Sequence, residues 1–488
     1  MENLTANIHL LWPEFLVTGL AFLILIIDFF LPSGRKTLLA LTSIIGLILV
    51  GIFSFLFLAD KEAADLYTGL LLIDKFSLFF KMTFLVLGVL VIGSSVEFVK
   101  RHLSNPGEYY AIILFSILGM MLMASAGELL TAYIGLELLS FSLYILVSHA
   151  RENDKSNEAG TKYILLGAFA SAILLYGISI IYGAVARAGI VAPTTFDAIH
   201  TFLQSRPDMN PDFMIGMVLI IAGLGFKVAA VPFHMWTPDV YEGAPLPVTA
   251  YLAVGSKIAA FALMLRLFAS AFAPAIDDWK VIIAILAVAT MILGNLAALA
   301  QQNIKRLLAY SSIGQVGYLL MGIAALSSSA SNALIFHLVG YGVTNLAAFL
   351  AVIAFYNATG KEEISDFAGL GSRNPFLAMA LTVSLFSLAG LPIFAGFVTK
   401  FYLFLSVVKA DMLWLAAVAV MASLVSLYYY LIIIRQIYVE PAKESTVIPI
   451  TWITGIFLGG LVIGTVLIGV YPRPLMDAIQ TATAVILP

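Results

Sequence analysis

The sequence predicts an all-α polytopic membrane protein of about fourteen transmembrane helices, with two inverted five-helix repeats and discontinuous seventh and twelfth helices. Three observations carry this prediction. The 488 residues are 61% hydrophobic and 11% charged, with a mean hydropathy of +1.03, whereas an average soluble domain is roughly 25% charged. The apolar residues fall in runs of about twenty, the length that crosses a bilayer, and not in the alternating ten-residue strands of a closed barrel. Two runs are punctuated alike by proline, at Pro232 and Pro392, five spans apart, and the odd spacing makes the two units inverted copies.

In chain order the spans fall near 8–31, 37–59, 77–97, 109–126, 128–148, 161–186, 212–236, 247–270, 279–300, 312–327, 331–357, 376–406, 411–434 and 450–472. The first has no preceding basic region and no small-residue cleavage site, so it reads as a retained span. The fifth opens on Glu128, where a carboxylate suits the positive end of the helix dipole. The seventh, GLGFKVAAVPFHMW, and the twelfth, LFSLAGLPIFAGFVTK, should kink or unwind, because proline lacks a backbone donor and clashes with the preceding turn. The plainer reading of this punctuation is that proline is simply more frequent in membrane helices. The tract PFHMWTPDVYEGAPLPVTA predicts a rigid turn that carries Asp239 and Glu242. On this division residues 1–488 form a single transmembrane domain, with a first inverted repeat at about 109–270, a second at about 279–434, and flanking helices 1–3 and 14.

Loop charge sets the orientation. One set of loops carries thirteen Lys and Arg, among them Arg35, Arg151 and Lys443, against eight in the other set, among them Lys75, Lys81 and Arg206. Placing the richer side in the cytoplasm puts both termini outside, on the periplasmic face of a cell inner (plasma) membrane.

Four ionisable side chains stand near mid-span: Glu137 in TAYIGLELLSFSLYILV, Lys227 in MVLIIAGLGFKVAAV, Lys257 in VTAYLAVGSKIAAFALML, and Lys400 after the interrupted run LFSLAGLPIFAGFVTKFYLF. A charge there is expensive, and function is the usual reason for it. One such lysine could be a satisfied ion pair that holds helices together. Four at similar depth read as a proton or cation pathway. Burial loosens the hold of an ammonium on its proton and a neighbouring carboxylate restores it, so moving or neutralising the carboxylate releases the proton. Glu137 and Lys227 make such a pair if their helices touch. Lys257 and Lys400 then relay the proton through water, with His234 or His337 as intermediates that titrate near neutrality. Arg266 lies nearer a span end, where a long cation snorkels to the headgroups. Glu14 and Asp28 in the first span read as boundary or packing charges.

Other chemistries find no support. The chain has no cysteine, which excludes disulfides, thiolate zinc sites and cysteine-ligated iron–sulfur clusters, so any redox cofactor belongs to another chain. The six histidines are scattered and suggest no metal site, and Met120, Met121 and Met123 read as packing. GLGFKV and GLGSRN lack the third glycine of a dinucleotide fingerprint, and no phosphate loop, HExxH or serine elbow occurs. A net charge of −3 without a dense basic cluster gives no nucleic-acid partner.

In order along the chain, FKVAAVPFHMWTPDVYEGAP, GSKIAAFALMLR, NIKRLLAYSSIGQVGY and GLPIFAGFVTKFYLF resemble the proton-pumping antiporter-like subunits of NADH:quinone oxidoreductase, respiratory complex I. The resemblance covers nearly the whole chain. It implies fourteen helices in two inverted units with broken seventh and twelfth helices, and it assigns proton translocation to Glu137, Lys227, Lys257 and Lys400. Lys305 in NIKRLLAYSS matches a further basic residue of the family, here at a membrane edge. Lys400 disfavours the sister and antiporter subunits that usually carry glutamate at this place, and the short stretch after the fourteenth span disfavours the longest sister. The implied enzyme is a translocase in which this chain holds no redox centre: NADH, FMN, iron–sulfur clusters and quinone bind to other subunits. The implied partners are the other membrane-arm subunits, M-like and K-like neighbours, together with the lipid bilayer and protons. A subunit of a multisubunit sodium/proton antiporter is the alternative, and a membrane scaffold with merely paired charges is a third reading.

Overall fold

A computed structural model describes residues 7–205, 211–442 and 446–487. Among them, thirteen helices are long and apolar enough to cross a membrane, each satisfying its own backbone polar groups as a hydrocarbon environment demands. The first six helices are α1 (Trp12–Phe30), α2 (Thr37–Leu58), α3 (Lys75–His102), α4 (Pro106–Ser125), α5 (Leu129–Val147) and α6 (Asp154–Arg187). A short α7 (Phe196–Ser205) precedes the seventh span, which is split into α8 (Pro211–Val228) and α9 (Trp236–Gly243). Then follow α10 (Leu246–Ala269), α11 (Ile276–Ala298), α12 (Ile304–Ala324), α13 (Ser328–Thr359) and a one-turn α14 (Leu370–Arg373). The twelfth span is the pair α15 (Pro375–Ala389) and α16 (Ala395–Lys409), and α17 (Leu413–Tyr438), α18 (Trp452–Val470) and α19 (Arg473–Thr483) close the chain.

Every residue of α10 is buried, so this helix is the axis of the bundle, with α12 and α13 packed beside it. Large apolar side chains such as Phe29, Leu49, Phe169 and Met421 face outward, as lipid-facing positions do. Helices approach closely where glycines leave room. A Cβ on Gly119 of α4 would meet the backbone of α5 at 2.7 Å, and one on Gly294 of α11 would meet Gly314 of α12 at 2.5 Å.

Four details differ from the sequence expectation. A β-hairpin, β1 (Ala64–Leu66) and β2 (Leu71–Ile73), joins α2 to α3. Its turn runs through Tyr67, Thr68 and Gly69, all at positive φ, with the Gly69 amide donating to Asp65 Oδ1 at 2.5 Å. Amphipathic α7 and α19 stand where loops were expected. Lys81, counted as a loop charge, lies fully buried inside α3 at 2.8 Å from Glu14, because its helix begins at Lys75. Arg266 does not snorkel: it is 2% exposed and bidentate on Asp74 at 2.8 and 2.9 Å, where the capping carboxylate of α3 neutralises it. Asp28 does stand at a boundary, paired with Lys36 at 3.0 Å, and Glu128 precedes α5 with its carboxylate accepting from the Thr131 and Thr194 hydroxyls and not from the helix amides. Arg206 and Lys443 lie outside the described residues.

Candidate proton pathway

At both broken spans, side chains take up backbone groups that the breaks release. After α8 the chain turns through Ala229 at φ +64°. The amide of Val231 donates to Thr290 Oγ1 at 2.9 Å, and Trp236 Nε1 reaches back to the Phe226 carbonyl at 3.0 Å. After α15 the chain passes Gly390 at φ +89° and Ile393 at +81°. There the freed Leu388 carbonyl accepts from Lys400 Nζ at 2.8 Å and from Gln315 Nε2 at 3.3 Å. Irregular backbone at membrane depth is tolerated when protein groups take up its donors and acceptors in this way.

Packing of α5 against α6, and of α6 against α8, brings Glu137 and Lys227 together at 3.9 Å between Oε1 and Nζ. Ser171 of α6 donates to the same Glu137 oxygen at 2.5 Å. Lys227 Nζ donates to Ser140 Oγ at 2.8 Å and Tyr144 OH at 3.2 Å. Ser140 and Tyr144 follow Glu137 by three and seven residues on α5, so one helix face presents the carboxylate and both hydroxyls.

Lys257 on α10 is 1% exposed and donates to the Ser312 hydroxyl at 2.7 Å and to the Ser312 carbonyl at 3.1 Å. Among the described residues no carboxylate pairs with it. One turn along α12, Gln315 shares the Leu388 carbonyl with Lys400, so the face carrying Ser312 and Gln315 spans the interval between the two lysines. Lys400 also donates to Ser423 Oγ at 3.2 Å and lies 4.9 Å from the ring centre of Tyr318. His337 joins this end: its Nδ1 lies 3.0 Å from Thr399 Oγ1, and its ring stands 6.4 Å from that of Tyr318. On the other side of Lys257, the aromatic series Tyr144, Tyr163, Trp236 and Tyr241 leads back to Lys227, with ring centres 4.7, 4.6 and 6.3 Å apart. The result is a row of amines, a carboxylate and hydroxyls through the middle of the bundle, with aromatic rings between Lys227 and Lys257.

Two candidates stand elsewhere. His234 lies in the break of the seventh span with Nδ1 buried and unpartnered, and among the described residues no hydrogen bond or ion pair joins it to the row. Lys305 pairs with Glu362 at 2.6 Å and donates to the Glu242 carbonyl at 2.5 Å. It sits at the bundle end, beside a cavity of about 570 Å³ lined by Arg101, His149, Lys155, Glu242 and Glu362. At that end the PFHMWTPDVYEGAP turn is pinned by charge, since Asp239 contacts Lys162 and Arg306, each at 3.0 Å, and Glu242 contacts Arg306 at 2.9 Å.

Residues 126–426 match the family described as NADH:quinone oxidoreductase/Mrp antiporter, TM. NADH-quinone oxidoreductase subunit N of Moorella thermoacetica is 42% identical over 486 residues, 99% of this chain and 100% of the relative. The protein of the same name from Trichlorobacter lovleyi is 44% identical over 90% of this chain and 89% of its own. Among solved structures, a chain of respiratory complex I from Thermus thermophilus with bound aureothin superposes with a TM-score of 0.79 at 30% identity, covering 96% of this chain and 99% of that one. A chain of the Mrp complex from Dietzia superposes with a TM-score of 0.82 at 23% identity, covering 96% and 97%, a likeness of fold.

Proposed function

The chain belongs to the membrane-subunit family shared by NADH:quinone oxidoreductases and Mrp antiporters, and from that premise we propose that it is subunit N of respiratory complex I, a multi-pass membrane subunit that moves protons across the bilayer as NADH is oxidised by quinone. The observation that carries this reading is similarity to relatives of that name over 99% of the chain at 42% identity.

Glu137, Lys227, Lys257 and Lys400 carry the proton. Glu137 and Lys227 form the input pair. When a charge shift in a neighbouring membrane-arm subunit draws or neutralises the Glu137 carboxylate, Lys227 loses the charge that holds its proton, and the Ser140 and Tyr144 hydroxyls already stand as acceptors. Ser312 and Gln315 bridge the interval from Lys257 to Lys400, and Thr399 and His337 extend it. Lys305 fixes the turn below α10 and guards the inner cavity, a supporting role beside the row. NADH, FMN, iron–sulfur clusters and quinone are bound by other subunits. Residues 109–270 and 279–434 act as two inverted units, each with a broken helix whose lysine lies beside the break. The membrane is the cell inner membrane, with both termini outside.

A sodium/proton antiporter subunit is the second reading, favoured by the Mrp likeness in fold. Proton pumping driven by NADH oxidation in inverted vesicles separates the two, with wild type compared to Lys227→Ala and Glu137→Gln in complexes of verified assembly. Loss of pumping in the variants supports the proposal. Unaltered pumping in both would make the charged row structural.

A further inference from the structure

Besides the row, α3 takes part in two buried ion pairs that differ in kind. Asp74, which caps α3, receives two guanidinium hydrogen bonds from Arg266 and one from the Ser77 amide, while Arg266 Nε donates to the Ala124 carbonyl. That pair is saturated, and a guanidinium does not deprotonate in proteins, so it is a structural rivet between α3, α4 and α10. Lys81 lies seven residues further, on the same face of α3. Its Nζ is 2.8 Å from Glu14 Oε1 of α1, with side-chain exposures of 0% and 5%. Beyond that contact, among the described residues neither Glu14 oxygen nor the Lys81 amine has a hydrogen-bond partner.

An ammonium offers three donors and a carboxylate about four acceptor sites. A buried pair without such support is poorly compensated for its lost hydration. Unlike a guanidinium, an ammonium can relieve this by giving its proton to the carboxylate, which leaves a neutral acid and a neutral amine. Lys81 is six residues into α3, about 9 Å along the helix from its hairpin end, and Glu14 is in the first turn of α1. The pair is therefore shallow on the hairpin side and outside both proposed five-helix units.

We propose that Glu14 and Lys81 form a proton-exchange site that hands protons to the water on the hairpin face; this rests on the proton-translocating reading above. The Nζ–H bond of Lys81 breaks as an O–H bond forms on Glu14. Glu14 then releases that proton to water, and the neutral amine takes up the next proton delivered from the row, so one proton passes and no charge accumulates.

The test uses complete complex in sealed vesicles and reads protons moved per NADH oxidised for Lys81→Arg, Lys81→Met and Lys227→Ala. Lys81→Arg keeps the positive charge that a structural pair needs, but a guanidinium does not yield its proton. We expect Lys81→Arg to assemble as wild type and to lose proton delivery. Wild-type delivery by Lys81→Arg or Lys81→Met would overturn the proposal. Should Lys81→Arg fail to assemble, redox-difference infrared spectra of wild type and Glu14→Asp decide: a protonated-carboxyl band displaced by Glu14→Asp supports the site, and the absence of such a band overturns it. If Lys227→Ala also pumps as wild type, the translocation reading itself has failed. If Lys227→Ala is silent and Lys81→Arg pumps, only the exchange site is wrong.

Discussion

Lys227 stands 3.9 Å from Glu137 but 2.8 Å from the hydroxyl of Ser140, so the ammonium is drawn off its carboxylate by a neutral acceptor. A hydrogen bond to a charged group contributes about 1.5–3 kcal/mol. Ser140→Ala should let Lys227 close on Glu137 and hold its proton more tightly. The expected outcome is coupled turnover slowed by about tenfold, equivalent to roughly 1.4 kcal/mol, with assembly intact. An unchanged rate in NADH-driven pumping assays would show that Ser140 does not set the balance.

Lys257 and Arg266 lie on one helix and should respond in opposite ways to loss of charge. Lys257 has no carboxylate partner among the described residues, and Ser312 keeps a bond to the Ala309 carbonyl at 2.8 Å without it. Lys257→Met therefore strands no buried charge, and it removes the cost of burying an ammonium that no carboxylate compensates. We expect Lys257→Met to assemble fully and to lose coupled pumping, checked by native gel and vesicle acidification. Poor assembly of Lys257→Met would mean that the lysine is mainly structural.

The contrast between these residues also marks what the sequence discloses. The spans were legible because a hydrocarbon environment forces long apolar runs, and the breaks because Pro232 and Pro392 remove backbone donors inside them. Ser140 and Tyr144 could have been found at three and seven residues from Glu137 on a helix. Ser312, Gln315 and Ser423 could not, since their place beside Lys257 and Lys400 depends on how separate helices pack. Lys81 and Arg266 were misjudged for the same reason: their partners, Glu14 and Asp74, are 67 and 192 residues away. The hairpin escaped because strands of three residues carry too short an alternation to read.

Removal of Arg266 leaves Asp74 ionised and buried, at a cost of about 3–5 kcal/mol, so Arg266→Met should sharply lower the thermal stability of the subunit. The pH dependence follows from Asp74, just outside the third span. Burial works to raise its carboxyl, but Arg266 and Ser77 hold it below the ordinary 3.8. A carboxylate depressed in the folded state contributes its full stability above the unfolded value and loses it as pH falls through the folded one. Asp74→Asn keeps a side chain able to cap α3 and deletes the charge. The difference in melting temperature between wild type and Asp74→Asn should be flat from about pH 7 to about pH 5 and shrink below about pH 4. A difference that instead shrinks near neutrality would assign the effect to another group.

Gly390 links local backbone to the last lysine of the row. At φ +89° it stands where a side chain is strained, and an added Cβ would lie 3.4 Å from Lys400 Cδ and 3.6 Å from Lys400 Nζ. Those contacts are ordinary, so the cost of Gly390→Ala is chiefly the left-handed backbone, about 1–2 kcal/mol. The break can relieve that strain only by rotating its peptide groups, which would carry the Leu388 and Ala389 carbonyls away from Lys400 and Ser423. Gly390→Ala should therefore lower thermal stability by about 1–2 kcal/mol and also slow coupled pumping. A control, Gly455→Ala inside α18, where an added Cβ meets nothing within 4 Å, should lower neither, since alanine favours a helix more than glycine does. Lowered stability with undiminished pumping would show that the position of Lys400 does not depend on the geometry of the break.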